Sequence, residues 1–100
     1  MNPEEVAQAL GSRHRLAILR ILSGRPRATA AEVHSAFRER FGGRHRESIY
    51  RDLERLVAAE LVEKRYDAKR KALVYSLRIR SAKFVFSDGT VHLDEEQRKV

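Results

Sequence analysis

Arg44, Ser48, Arg51 and Arg55 recur at intervals of three and four residues, which places them along one side of a helix, with Tyr50 on its flank. A row of guanidinium and hydroxyl donors at that spacing suits phosphate oxygens, and from Arg it also suits a two-pronged grip on the guanine edge. Arg51 and Arg55 repel one another by about 0.2–0.5 kcal/mol in a free helix, relieved in part by Glu47 and Glu54. A bound phosphate would remove that repulsion. His45 and Arg46 adjoin the row and extend its list of phosphate donors. A second cationic cluster, Lys69-Arg70-Lys71, falls in a short polar stretch between two runs of strand-forming residues.

Other chemistry finds little support. His14, His34, His45 and His92 include no i, i+4 pair, and the chain has no cysteine, so no metal site is expected. Ser12 lies near His14, yet no Gly-x-Ser-x-Gly turn, orienting acid or phosphate-cradling loop accompanies them. No catalytic residue and no cofactor are therefore assigned.

The charge balance agrees with the donor row. The 100 residues carry 21 Lys and Arg against 14 Asp and Glu, a formal charge of +7. Residues 13–80 hold 18 of those cations and only 8 of the acids, while both ends are net acidic. Such a basic body suits a polyanion, because each neutralised phosphate releases counterions. The length allows one domain and excludes a cofactor domain joined to a substrate domain. Mean hydropathy of −0.56 and short apolar runs leave nothing to span a bilayer. An acidic start, Met1-Asn2-Pro3-Glu4-Glu5, and the absence of cysteine lead to the expectation of a cytoplasmic protein.

Three helices must position these groups. Pro3 to Leu10 reads as a short leading helix, and Ser12 as the N-cap of a first core helix over Arg13 to Ser23. Its wet stripe is expected at Arg13, Ala17 and Arg20, and Gly24 is expected in left-handed geometry. Thr29-Ala30-Ala31-Glu32 is a capping box for a second helix, with Val33, Phe37 and Phe41 on its buried face. The third helix, about 46–60, turns Ile49, Leu53, Leu56 and Val57 inward, which leaves the donor row outward. Alternation at Leu73, Tyr75, Leu77 and Ile79 then marks a hairpin whose tip is 67–72. Asp88-Gly89 predicts a second hairpin with a two-residue loop, pairing Phe86 with Val91 and Phe84 with Leu93. Its apolar face, Phe84, Phe86, Val91 and Leu93, serves a homodimer, or else it folds back on the leading helix around Val6 and Leu10. The charged tail from Asp94 to Val100 reads as a helical stub or as disorder.

The fold class expected is α+β: a winged helix-turn-helix, with a three-helix core, a two-stranded wing and an additional C-terminal β-hairpin. Residues 1–80 would form the DNA-binding domain and 81–100 the C-terminal hairpin and tail. In that fold the third helix enters the major groove of double-stranded DNA, and the wing touches backbone or minor groove. The rival reading is a winged helix that binds protein, or that coats nucleic acid without sequence preference, as chromatin-like and RNA-binding modules do.

The run Ser48-Ile49-Tyr50-Arg51-Asp52-Leu53-Glu54-Arg55-Leu56-Val57, continuing to Leu61-Val62, resembles the recognition helix of winged-helix repressors. It is most similar to the ferric-uptake-regulator family, with PadR-type regulators next. Arg15-Leu16-Ala17-Ile18-Leu19 and Thr29-Ala30-Ala31-Glu32-Val33 resemble that family's first two core helices. Phe84 to Val91 is similar, more faintly, to the strand that opens its dimerisation domain. The resemblance implies a prokaryotic-type regulator, a repressor, bound as a homodimer to a two-fold operator with Tyr50 and Arg51 on the DNA. Phe86 and Asp88 stand where that family has zinc cysteines, Arg80-Ser81-Ala82 where it has a histidine cluster, and Glu60 where a Gly is usual.

Overall fold

The computed structural model describes residues 2–96. Four helices, α1 (Pro3–Leu10), α2 (Arg13–Ser23), α3 (Ala30–Phe41) and α4 (Arg46–Ala58), precede four strands. These are β1 (Val62–Asp67), β2 (Ala72–Leu77), β3 (Ile79–Val85) and β4 (Thr90–Glu95), paired as two antiparallel hairpins. The segment before α3 joins the first hairpin, because Ala28 and Tyr75 exchange backbone hydrogen bonds of 3.0 and 2.7 Å. The wing thus has the order Ala28, β2, β1, and β1 is its free edge. The architecture is the expected α+β winged helix with a second hairpin.

Local chemistry sets the helix ends. The Ser12 hydroxyl accepts from Arg15 N–H at 3.3 Å, and Thr29 and Glu32 close the capping box at 3.1 and 2.9 Å. Gly24 departs from expectation with a φ of −95°. There α2 ends in short-range bonds, Gly24 N–H to Ile21 and Arg25 N–H to Leu22, so no left-handed residue is needed.

Ile18, Ile21, Leu22, Val33, Phe37, Ile49, Leu53, Leu56, Val62 and Tyr75 form the core. Two helix faces differ from the pattern reading. Arg13, Leu16, Arg20 and Ser23 form a single i, i+3, i+7, i+10 stripe, so Leu16 is exposed and Ala17 is buried. Phe41 also lies at the surface, between the Arg20 and Arg40 guanidinium groups at 5.5 and 5.2 Å from its ring centre.

The alternation expected at Leu73, Tyr75, Leu77 and Ile79 needs one adjustment. Val74 and Ser76 are buried as well and line a groove together with residues 24–27, whereas Leu73 is exposed. The strand also breaks at Arg78, where Leu61 C=O accepts from both Arg78 and Ile79, and β3 leaves to form the second hairpin.

That hairpin takes a different register from the predicted one. A four-residue turn over 86–89 replaces the two-residue loop, so Phe84 pairs with Val91 and Ala82 with Leu93. The Asp88 carboxylate accepts from Thr90 N–H at 3.1 Å and its hydroxyl at 2.7 Å, and Gly89 N–H reaches Val85 C=O at 2.9 Å. These local bonds draw Phe86 out of the strand and into the turn. Asp94 and Glu95 belong to β4, contrary to the expected stub, Glu96 N–H donates to Arg78 C=O at 2.8 Å, and the last four residues of that tail, 97–100, lie outside the described residues.

Candidate nucleic-acid interface

The position of α4 is fixed on its inner side by Ile49, Leu53 and Leu56, all fully buried. Three polar ties supplement that packing. Asp52, 5% exposed, takes Arg44 at 2.7 Å and Arg15 at 3.5 Å. Arg15 in turn donates to the carbonyls of Ala9 and Gln8 at 2.6 and 3.1 Å, so one carboxylate links α1, α2 and α4. On the neighbouring face Glu54 accepts from Lys64 Nζ at 2.7 Å and from the Tyr75 hydroxyl at 3.1 Å, which ties the wing to α4. Burial, aided by the Glu54 charge, raises the Tyr75 hydroxyl pKa well above the ordinary tyrosine range. Finally, His34 Nε2–H donates to Arg44 C=O at 2.8 Å and holds the loop before α4 against α3.

With its inner side committed, α4 turns Arg46, Glu47, Tyr50, Arg51 and Arg55 to the surface. Among the described residues, Arg46, Arg51 and Arg55 have no acidic group within ion-pair distance. Ser48 is half-buried at the edge of this face, and the N-cap residue His45 is exposed and makes no capping bond. Arg44 is a correction to the outward row. It precedes the helix and is turned inward onto Asp52, because a buried carboxylate must be paired.

The wing tip is shaped by Asp67, whose carboxylate accepts from the Arg70 and Lys69 N–H groups at 3.2 and 2.9 Å. Those backbone bonds, that to Arg70 foremost, with the nearby Arg27 and Arg70 charges, hold the Asp67 carboxyl below the usual carboxylate range. Lys71 completes the turn at φ 53°. Arg70, also exposed, reaches back to Glu32 at 2.8 Å, and Arg25 approaches the same carboxylate at 3.9 Å. The Thr29 N–H, more than these two charges, lowers the Glu32 pKa. Lys69 and Lys71 stay exposed, with no acidic partner among the described residues. On the wing's other face a groove is lined by Arg25, Arg27, Arg65 and Lys69, so cations flank the wing on both sides.

Phe84, Val91 and Leu93 are half-buried and pack against the core that includes Val6. Phe86, by contrast, is 94% exposed at the turn and leaves the apolar face expected of it. No group of three His, Cys, Asp or Glu that could hold a metal occurs among the described residues, and a thiolate zinc site cannot be built without cysteine. Among the described residues no helix is long and apolar enough to cross a membrane.

Sequence reasoning missed the roles of Arg15, Asp52 and Glu54. A signal for Asp52 existed, since it lies inside the arc of Ile49, Leu53 and Leu56, where an acid demands a cationic partner.

A three-helix core whose last helix presents free cations, followed by a wing with a cationic tip, defines a helix-turn-helix domain of the winged type. The sequence agrees: residues 10–65, more than half of the chain, match the helix-turn-helix domain family, and the chain belongs to it. It is a DNA-binding domain of the kind that regulates transcription, and not an enzyme. Solved structures share its fold. The Vibrio cholerae ferric uptake regulator is similar with a TM-score of 0.63 at 19% identity, over 90% of this chain and 76% of that one. The Pseudomonas aeruginosa ferric uptake regulator, solved with manganese, gives 0.61 at 20% identity, over 96% and 77%. No curated protein matches the sequence.

Proposed function

We propose that this domain binds double-stranded DNA sequence-specifically as a prokaryotic-type transcriptional repressor. In this reading α4, about 20 Å long at 1.5 Å per residue, lies in the major groove. Arg51 and Arg55 face base edges and phosphates, with Arg46, His45, Tyr50 and Ser48 at the margins. Lys69, Arg70 and Lys71 at the wing tip meet the backbone or minor groove, while Arg44 acts by holding α4 in place. One observation carries the reading. Arg51 and Arg55 stand exposed on a helix whose opposite side is locked into the core, with no acidic partner among the described residues. Leaving two cations four residues apart without acids is mildly unfavourable in the free protein and favourable against a polyanion.

Residues 1–80 form the DNA-binding unit in this proposal, and 81–100 supply a homodimer contact on a two-fold operator. The projecting Phe86, 94% exposed, supports that assignment. Selection of duplexes from a random pool, followed by titration from low to moderate salt, tests the function. The expected result is an enriched two-fold sequence whose affinity falls with a log–log salt slope on the order of −5 for five or so phosphate contacts. Failure to bind any duplex at low salt would reject it, and a monomeric mass by light scattering would reject the dimer.

A further inference from the structure

The wing carries a feature that its charge does not explain. Lys64 and Tyr75 are directly paired across β1 and β2, and both reach Glu54 on α4, so their side of the hairpin faces α4. Strand side chains alternate, so the next pair on that same side, toward the tip, is Tyr66 with Leu73. These two extend past the core: Tyr66 is 64% exposed and Leu73 is 43% exposed. An exposed edge strand is ordinarily kept soluble by charge, yet β1, the free edge of this sheet, presents an aromatic ring there, backed by a leucine. Lys69 and Lys71 follow at the tip, and exposed Tyr50 stands one turn before Glu54 on α4.

Resting on the DNA-binding reading above, we infer that Tyr66 and Leu73 form an apolar wedge that the wing sets against the sugars and base edges of duplex DNA. The surrounding charge selects this occupant. The wedge lies on the side of the hairpin that Lys64 and Tyr75 tie to α4, the helix that carries exposed Arg51 and Arg55, and within three residues of Lys69 and Lys71 at the tip, so a polyanion bridging helix and tip would cover it. Sugar faces and groove floors offer the apolar contact surface that phosphates do not, and minor-groove proteins insert such side chains beside cations. The wedge therefore contributes affinity that salt does not screen, whereas Lys69 and Lys71 contribute affinity that it does.

The test compares Tyr66→Ser, Leu73→Ser and Lys69→Ala with the unaltered protein, on a duplex recovered by random-pool selection, by fluorescence anisotropy across a salt series. Circular dichroism confirms that each variant is folded. Both serine variants are expected to bind about tenfold more weakly at every salt concentration, with the slope unchanged. Tyr66→Phe should bind as the unaltered protein does. Lys69→Ala should lower the magnitude of the slope by about one. Unaltered affinity in both serine variants would overturn the wedge while leaving DNA binding intact, and would turn the pair into a surface for a protein partner or a second copy. A loss confined to low salt would also overturn it. If the unaltered protein binds no duplex, the DNA-binding reading fails first, and the wedge with it.

Discussion

Replacing Asp52 with Asn keeps the shape of the side chain and removes the charge that joins α4 to the rest of the core. Two guanidinium groups then lose their common counter-charge: Arg44, with a side chain 23% exposed and 2.7 Å away, and Arg15, 11% exposed and 3.5 Å away. Removing one member of a buried ion pair typically destabilises by about 3–5 kcal/mol, most of it from the charge left uncompensated. Arg44 can recover some hydration, and Arg15 keeps its bonds to Ala9 and Gln8, so the low end applies: about 3 kcal/mol. For a domain of this size 1 kcal/mol shifts Tm by roughly 4–8 °C, which gives a fall of about 15 °C by calorimetry or circular dichroism. A double-mutant cycle with Arg44→Gln isolates the shorter contact and should return a coupling of about 1–2 kcal/mol. A fall in Tm of only two or three degrees, with no coupling, would refute the claim that this carboxylate holds the helix.

Further outcomes follow from the same geometry. Arg51→Ala should weaken binding of the selected duplex by about 1–3 kcal/mol and relax its sequence preference, whereas Lys69→Ala should weaken all duplexes alike. Competition among single-base variants of the selected site distinguishes the two. Glu60 is held in left-handed geometry, φ 62°, and closes α4 through Glu60 N–H to Val57 and Leu61 N–H to Leu56 at 2.9 and 3.0 Å. Its replacement by Gly should stabilise the domain by about 1 kcal/mol, read as a higher Tm, since Gly takes that geometry without a Cβ clash. The Glu32 pKa is lowered from 4.5 in the folded chain, so its contribution is complete above the unfolded value and is lost as pH falls through the folded one. Tm should therefore decline below about pH 4.5, less steeply in a Glu32→Gln variant, as thermal scans from pH 6 to 3 would show.

Most of the fold was legible because its signals are local. The capping box at Thr29 and Glu32 and the change of period after Leu61 depend only on neighbouring residues, and both the helix and the wing lie where they point. Decisions made at longer range were not legible. Arg44, Arg51 and Arg55 have the same side chain at helical spacing, yet only Arg44 turns inward, because the acid that captures it is Asp52, eight residues on and buried. Likewise the three tip cations are adjacent, and Arg70 alone is taken by Glu32, 38 residues away. The second hairpin follows the same logic on a smaller scale. The Asp88 bonds to Thr90 move each residue's partner by two positions, and a shift of two preserves which side of the strand each residue faces. Phe84, Val91 and Leu93 thus keep a common face, and only Phe86, nearest the turn, is expelled from it. Pattern determines which surface a residue can reach, whereas distant opposite charge determines which cations remain free for a ligand. Free and committed arginines on this domain are therefore told apart by their acids: where a carboxylate is in reach the cation is structural, and where none is, it is available to phosphate.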